Sequence, residues 1–205
     1  KKALPRYLDL ESSIQLLESV KGPFQERDYC ILTLFLNCGL RISELIGLNL
    51  SDIREDQLRV LGKGNKERIL YLNSACQDAI RDWLAARNSM GVIDKNALFI
   101  SQRRTRISKA AVEKLVKKYL TMAGLDSSQY SPHKLRHTAA TLMLQNGVDV
   151  RTLQEVLGHE HLNTTQIYTH VDNENLRIAA KANPLGRVRQ KKRPKEEPSA
   201  EGESH

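Results

Sequence analysis

The chain has no apolar run long enough to cross a bilayer. Its longest candidate, "YCILTLFLNCGL", is interrupted by Asn37 and Gly39, whereas a spanning helix needs about 20 consecutive apolar residues. No charged-then-apolar leader opens the sequence, which argues against a secretion signal. An initiating Met is also missing, so the chain is expected to start inside a longer protein or to have been trimmed. Cysteine is scarce: Cys30, Cys38 and Cys76 are odd in number and form no C-x-x-C pair. That usage argues against a disulfide framework and for reduced thiols, packed as small residues in a cytosolic compartment. No internal repeat is visible.

What is present reads as soluble and globular: 205 residues, 40% hydrophobic and 27% charged, with a formal net charge of +8. The closing stretch "RVRQKKRPKEEPSAEGESH", residues 187–205, holds six Lys/Arg and four Asp/Glu. The remaining body, 1–186, keeps 26 basic against 20 acidic residues and so carries +6 by itself. A basic folded body points to a polyanionic partner, with DNA, RNA and an anionic membrane all open at this level.

Periodicity predicts a mainly α fold with one small antiparallel sheet, in a single domain over 1–186. Leu10, Ile14, Leu17 and Val20 recur at helical spacing in "DLESSIQLLESV". A second helix is predicted over Gln25 to Cys38, stopped by Gly39, and a short third one near Arg41. "QLRVLGKGNKERILYL" has two β-type runs around Gly62, Gly64 and Asn65, a hairpin signal. Ser74 is expected to cap the next helix, with Gly91 past its end, and "ALFIS" is a short strand candidate. Ser108 and Gly124 bracket another helix. In "SPHKLRHTAATLMLQNG" Ser131 is the expected cap, Pro132 the first helical residue and Gly147 the exit. Asp149 and Gly158 bracket the next, and "DNENLRIAAKANP" predicts a last helix before a disordered charged tail, 187–205.

On the Ser131–Gly147 helix, Leu135, Ala139 and Leu142 form a core stripe, while His133, Arg136 and His137 share another face near the N-terminus. Helix N-termini favour anions, so a His and an Arg one turn apart there suit a phosphate. A capped surface helix with solvated charges would look the same. His133 and His137 also stand at the i, i+4 spacing of zinc ligands, with His159 and His161 following in "HEH". The glutamate of H-E-x-x-H is absent, however, and Lys134 and Arg136 would repel a divalent ion, so no metal is expected. Arg41 follows Gly39 at a helix junction where its side chain can enter a cleft. Lys63 and Lys66 stand on a glycine-containing hairpin that allows close backbone approach to a ligand.

Singly these signals are weak; together they are specific. "GLRISELIGL", "GKGNKER", "SPHKLRH", "LGH" and "TTQIYTH", in this order, resemble the tyrosine recombinase (phage-integrase) family, most nearly its bacterial Xer-type members. The likeness covers essentially all of 1–186, including the nine-residue step from His159 to Tyr168. It implies the catalytic-domain fold of that family, with Tyr168 as nucleophile and Arg41 and Arg136 as phosphate-binding arginines. His133 and His159 fill the two histidine positions, and Lys63, rather than its neighbour Lys66, the hairpin lysine. Glu44 would support Arg41, and Lys66, Arg68 and Lys134 would contact DNA. No active-site position departs from the family pattern. His161 and His170 receive no catalytic role, and "NTTQI" would be the connector carrying Tyr168 into the cleft.

The chemistry implied is cutting and rejoining of double-stranded DNA through a covalent 3′-phosphotyrosine, without metal, ATP or other cofactor. Two rivals share the motif set: a topoisomerase IB-like nicking and rejoining enzyme, and a non-catalytic DNA-binding relative. The resemblance further implies an N-terminal core-binding domain that this chain lacks. Its partners would be DNA and three further subunits, as a homo-tetramer or a hetero-tetramer with a paralogue, on two DNA sites. Asp172–Asn183 would pack on a neighbouring protomer, although a helix folded back on its own body would look identical. The expected place is the bacterial cytoplasm, at the nucleoid when DNA-bound.

Overall fold

The computed structural model describes residues 7–158 and 172–191. These form eight α-helices, three short 3₁₀ turns and one three-stranded antiparallel sheet of order β1-β2-β3. The mainly helical class with a small sheet is therefore observed.

Helix α2 (Gln25–Cys38) is the centre of the molecule. Every residue from Asp28 to Cys38 is buried, as expected of a helix covered on all sides. It is covered by α4 (Ser74–Asn88) and α6 (Pro132–Gln145). It stops where the sequence predicts. Gly39 takes φ +64°, and its N–H donates to the Phe35 carbonyl at 3.2 Å. A side chain there would meet Leu157 Cδ2 at 2.6 Å, so both the left-handed turn and the close packing require glycine.

The first helix, α1 (Leu10–Glu18), is rotated from expectation. Ser13, Leu16 and Leu17 face the core, with Val20 just beyond, while Leu10 is exposed. Ser13 Oγ donates to the Asp9 carbonyl at 2.8 Å, which lets a polar residue occupy the inner face. The short α3 (Ile42–Ile46) follows directly after Arg41. Strands β2 (Gln57–Leu61) and β3 (Glu67–Tyr71) pair in register Leu61↔Glu67 through Gln57↔Tyr71. Their turn is closed by the Gly62 N–H to the Lys66 carbonyl at 2.8 Å, with Gly64 and Asn65 left-handed. A two-residue β1 (Ile53–Arg54), too short to leave a sequence pattern, joins the edge.

Two local expectations change. The cap of α4 is Asn73, whose side chain accepts the Cys76 N–H at 3.1 Å; Ser74 is the first helical residue. "ALFIS" is buried but contributes only isolated bridges, Asn49↔Ala97 and Ile100↔Arg106, because no partner runs beside it for longer. Helix α5 (Lys109–Met122), capped by Ser108, and α7 (Val150–Leu157), capped by Asp149 and stopped by Gly158 at φ +68°, follow the sequence reading.

Helix α8 (Asn173–Ala182) folds back on its own body, burying Leu176 and Ala179 against α7 and β3, while Ile178 stays exposed. The body also runs beyond residue 186. Asn183 is wholly buried, donating to the Leu36 carbonyl at 3.0 Å and accepting the Leu185 N–H. Val188 packs on the core and Arg189 pairs with Asp78 at 2.7 Å. Residues 187–191 thus belong to the folded part because Leu185 and Val188 have apolar surface to bury. The rest of the predicted tail, 192–205, lies outside the described residues.

Candidate active site

Arg41 is the N-cap of α3, a position that frees its side chain from the helix. Its backbone N–H is taken by Glu44 Oε1 at 2.8 Å, the third residue of the helix reaching back over the cap. Its guanidinium comes no nearer than 3.8 Å to Glu44 Oε2, and 43% of the side chain is open to solvent. Arg41 is thus anchored by its backbone and left available through its charge.

Glu44 is almost fully buried and is held mainly from the sheet. Arg68, on β3, grips both carboxylate oxygens: Nη1 donates to Oε2, and Nη2 to Oε1 at 3.1 Å. Burial by itself would raise the Glu44 carboxyl, but the Arg68 hydrogen bond and charge, with the Arg41 N–H and charge, outweigh it and lower the pKa.

Arg136 sits one turn into α6 and is buried. Its Nη1 donates to the Gly39 carbonyl at 2.5 Å and its Nη2 to the Leu157 carbonyl at 2.9 Å. Burial lowers its pKa to about 10, assisted by the charges of Arg41 and Arg68 and opposed by Glu44. It therefore stays protonated at pH 7. Its two recorded partners are neutral dipoles, so the net cation remains for an anion to meet.

The predicted residues divide as follows. Arg41, Glu44 and Arg136 come together: Glu44 accepts the Arg41 N–H, and Arg136 binds the carbonyl of Gly39, two residues before Arg41. Lys63 stands exposed on the β2–β3 turn, whose root is close to this centre, since a Cβ on Gly62 would lie 3.5 Å from Glu44 Oε2. Lys66 is on the same turn, also exposed. His133 is exposed in the first turn of α6, and Lys134 Nζ lies 5.9 Å from the Tyr130 ring centroid. His137, the other half of the zinc spacing, is exposed with its ring 6.0 Å from that of Tyr7. His159 and Tyr168, like His161 and His170, lie outside the described residues.

Arg68 differs from its expected place. Instead of reaching outward to DNA, its side chain is 13% exposed and committed to Glu44 and, through Nε, to the Val156 carbonyl at 3.0 Å. The signal was in the strand's alternation: Arg68 and Leu70 share the inner face of β3, and Ile69 the outer. The Gly39 and Leu157 carbonyls, which orient Arg136, left no mark in the sequence beyond the glycine.

A mainly helical domain that sets two arginines around one buried glutamate has direct relatives. The phage integrase family model matches residues 6–175. The chain is 61% identical over 182 residues to the tyrosine recombinase XerC of Caldanaerobacter subterraneus subsp. tengcongensis, covering 88% of this chain and 52% of that protein. Among solved structures, the XerA recombinase superposes with a TM-score of 0.70 at 34% identity, covering 92% of this chain and 68% of that one. The XerH site-specific recombinase bound to its difH substrate, in a pre-cleavage complex, gives 0.68 at 31% identity, covering 87% and 55%. The chain belongs to the phage integrase family, and its fold is that of the tyrosine recombinase catalytic domain. It spans about half the length of that XerC relative.

Proposed function

We propose that this chain is the catalytic part of a site-specific DNA recombinase that cuts and rejoins double-stranded DNA through Tyr168. The observation that carries the reading is the pair of arginines: Arg136 buried and oriented by two carbonyls, Arg41 held beside it through Glu44. Attack on a phosphodiester builds negative charge on the non-bridging oxygens. Preorganised guanidiniums aimed at that charge stabilise the transition state without reorganising.

In this reading the Tyr168 oxygen attacks phosphorus, the bond to the 5′ oxygen breaks, and the DNA is left as a 3′-phosphotyrosine. A phenol with a pKa of about 10 needs help to lose its proton at neutral pH, and His133 takes it. Lys63 donates a proton to the departing 5′ oxygen, and His159 adds a third donor to the phosphate. The ester bond energy is retained, so the 5′ hydroxyl of another strand can reverse the step without ATP. Exchange between two duplexes needs four cuts, and each copy carries one Tyr168, so four copies act on two sites. The basic body, with Lys66 and Lys134 beside the site, supplies phosphate contacts on the DNA. The family likeness supports reading 1–186 as the catalytic domain, with a DNA-clamping domain before it in the whole protein. On this reading the protein works on DNA in the bacterial cytoplasm, at the nucleoid.

The test is incubation of the full-length protein with nicked suicide duplexes of randomised sequence, in EDTA at low salt. A covalent adduct on denaturing gels that survives EDTA and vanishes in Tyr168→Phe is the expected result. Salt-sensitive binding without an adduct would sink the reading in favour of a DNA-binding relative. An adduct accompanied by supercoil relaxation on single-site plasmids, and no exchange, would favour the topoisomerase-like alternative.

A further inference from the structure

Besides Arg136 on α6, three separate pieces of chain border the site: the N-cap of α3 with Arg41, the β2–β3 turn with Lys63, and the end of α7. One side chain touches all three. Arg68 binds the Glu44 carboxylate with both terminal nitrogens, and that carboxylate caps the Arg41 N–H. Its Nε holds the Val156 carbonyl in the last turn of α7 at 3.0 Å. A Cβ on Gly158 would lie 3.0 Å from Arg68 Cδ and 3.2 Å from Cζ, so the guanidinium lies flat against the backbone just before His159. A Cβ on Gly62 would be 3.7 Å from Arg68 Nη1, so the root of the lysine turn also rests against it. Three directed N–H donors in one plane, two on a carboxylate and one on a carbonyl, are available only to a guanidinium.

We infer that Arg68 is a positioning residue of the reaction, locking the sheet, α3 and the exit of α7 into one frame, and not a contact to DNA. This rests on the recombinase reading above. A displaced frame would shift Arg41, Lys63 and the chain entering His159 together, and misplacement by about 1 Å costs on the order of 100-fold in rate.

The experiment measures single-turnover cleavage of a nicked suicide duplex at saturating full-length protein, for wild type, Arg68→Ala and Arg68→Lys. DNA affinity is measured beside it across a salt series. For both variants the rate constant is expected to fall on the order of 100-fold, with unchanged amplitude and an unchanged slope of log affinity on log salt. Lysine is expected to rescue little, because an ammonium keeps the charge but loses the planar fork. Loss of folded protein would instead lower the amplitude and leave the rate constant alone, which would overturn the inference. So would a salt slope reduced by about one phosphate contact with the rate intact. Glu44→Gln is the second variant. Its effect and that of Arg68→Ala should not add, and full additivity in the double variant would also overturn the inference. If wild type forms no adduct, the recombinase reading and this inference fall together; if wild type cuts and Arg68→Ala cuts equally well, only the inference falls.

Discussion

At Arg136 a guanidinium is held by the carbonyl oxygens of Gly39 and Leu157, with the charges of Arg41 and Arg68 close enough to lower its pKa. Lysine could keep the charge but not both carbonyl bonds and a phosphate. Arg136→Lys is therefore expected to lower single-turnover cleavage by about 10²–10³-fold, as loss of a transition-state donor does, while circular dichroism stays native. Glu44 gives a pH prediction. Its folded pKa lies below the unfolded value, so its contribution to stability is present above the unfolded carboxyl pKa of about 4 and is lost as pH falls through the folded one. Urea midpoints measured from pH 7 down to pH 3 should drop more steeply for wild type than for Glu44→Gln; parallel curves would contradict this. The sequence made Arg41, Glu44 and Arg136 legible because the motifs are local. It hid the partners of Arg136, which are backbone oxygens with no residue identity of their own.

Among the elements, those with strong caps and stops were readable: α2 ends at Gly39, α5 starts after Ser108, and α7 runs between Asp149 and Gly158. Where two capping residues adjoin, as Asn73 and Ser74 do, the sequence cannot rank them; a buried setting and a bond to the Ala180 carbonyl at 2.9 Å favour Asn73. The expected strand at 97–101 divides its pairing between two partners, Asn49 at Ala97 and Arg106 at Ile100, so it is buried and bridged without forming a ladder on either. The stop of α2 can be tested directly. Gly39→Ala forces a side chain into a left-handed residue and against Leu157. It is expected to destabilise the protein by at least the ~1–2 kcal/mol of the left-handed backbone, read from the urea unfolding midpoint.

For the molecule as a whole, the C-terminal part is tied in by polar bonds as much as by apolar packing. Asn73 bridges Asn37 and the Ala180 carbonyl, and Asn183 bonds the Leu36 carbonyl from a wholly buried site. Asn183→Ala leaves that carbonyl unpaired and should cost about 1–3 kcal/mol. Hydrogen exchange should then quicken across α8 and residues 184–191 before it does in α2. Equal quickening everywhere would mean that the segment does not open on its own. Little of this was visible in advance, since the tail's composition is polar and only Leu185 and Val188 argue for docking.

The Arg136 contacts also bear on when, during synthesis, the seat for an anion is complete. The two carbonyls that aim this guanidinium come from positions 97 and 21 residues away along the chain. During synthesis Arg136 leaves the ribosome well before Leu157, so a nascent chain has the charge but not the cradle. Neither a half-made polypeptide nor a proteolytic stump ending short of α7 has both carbonyls that orient this guanidinium.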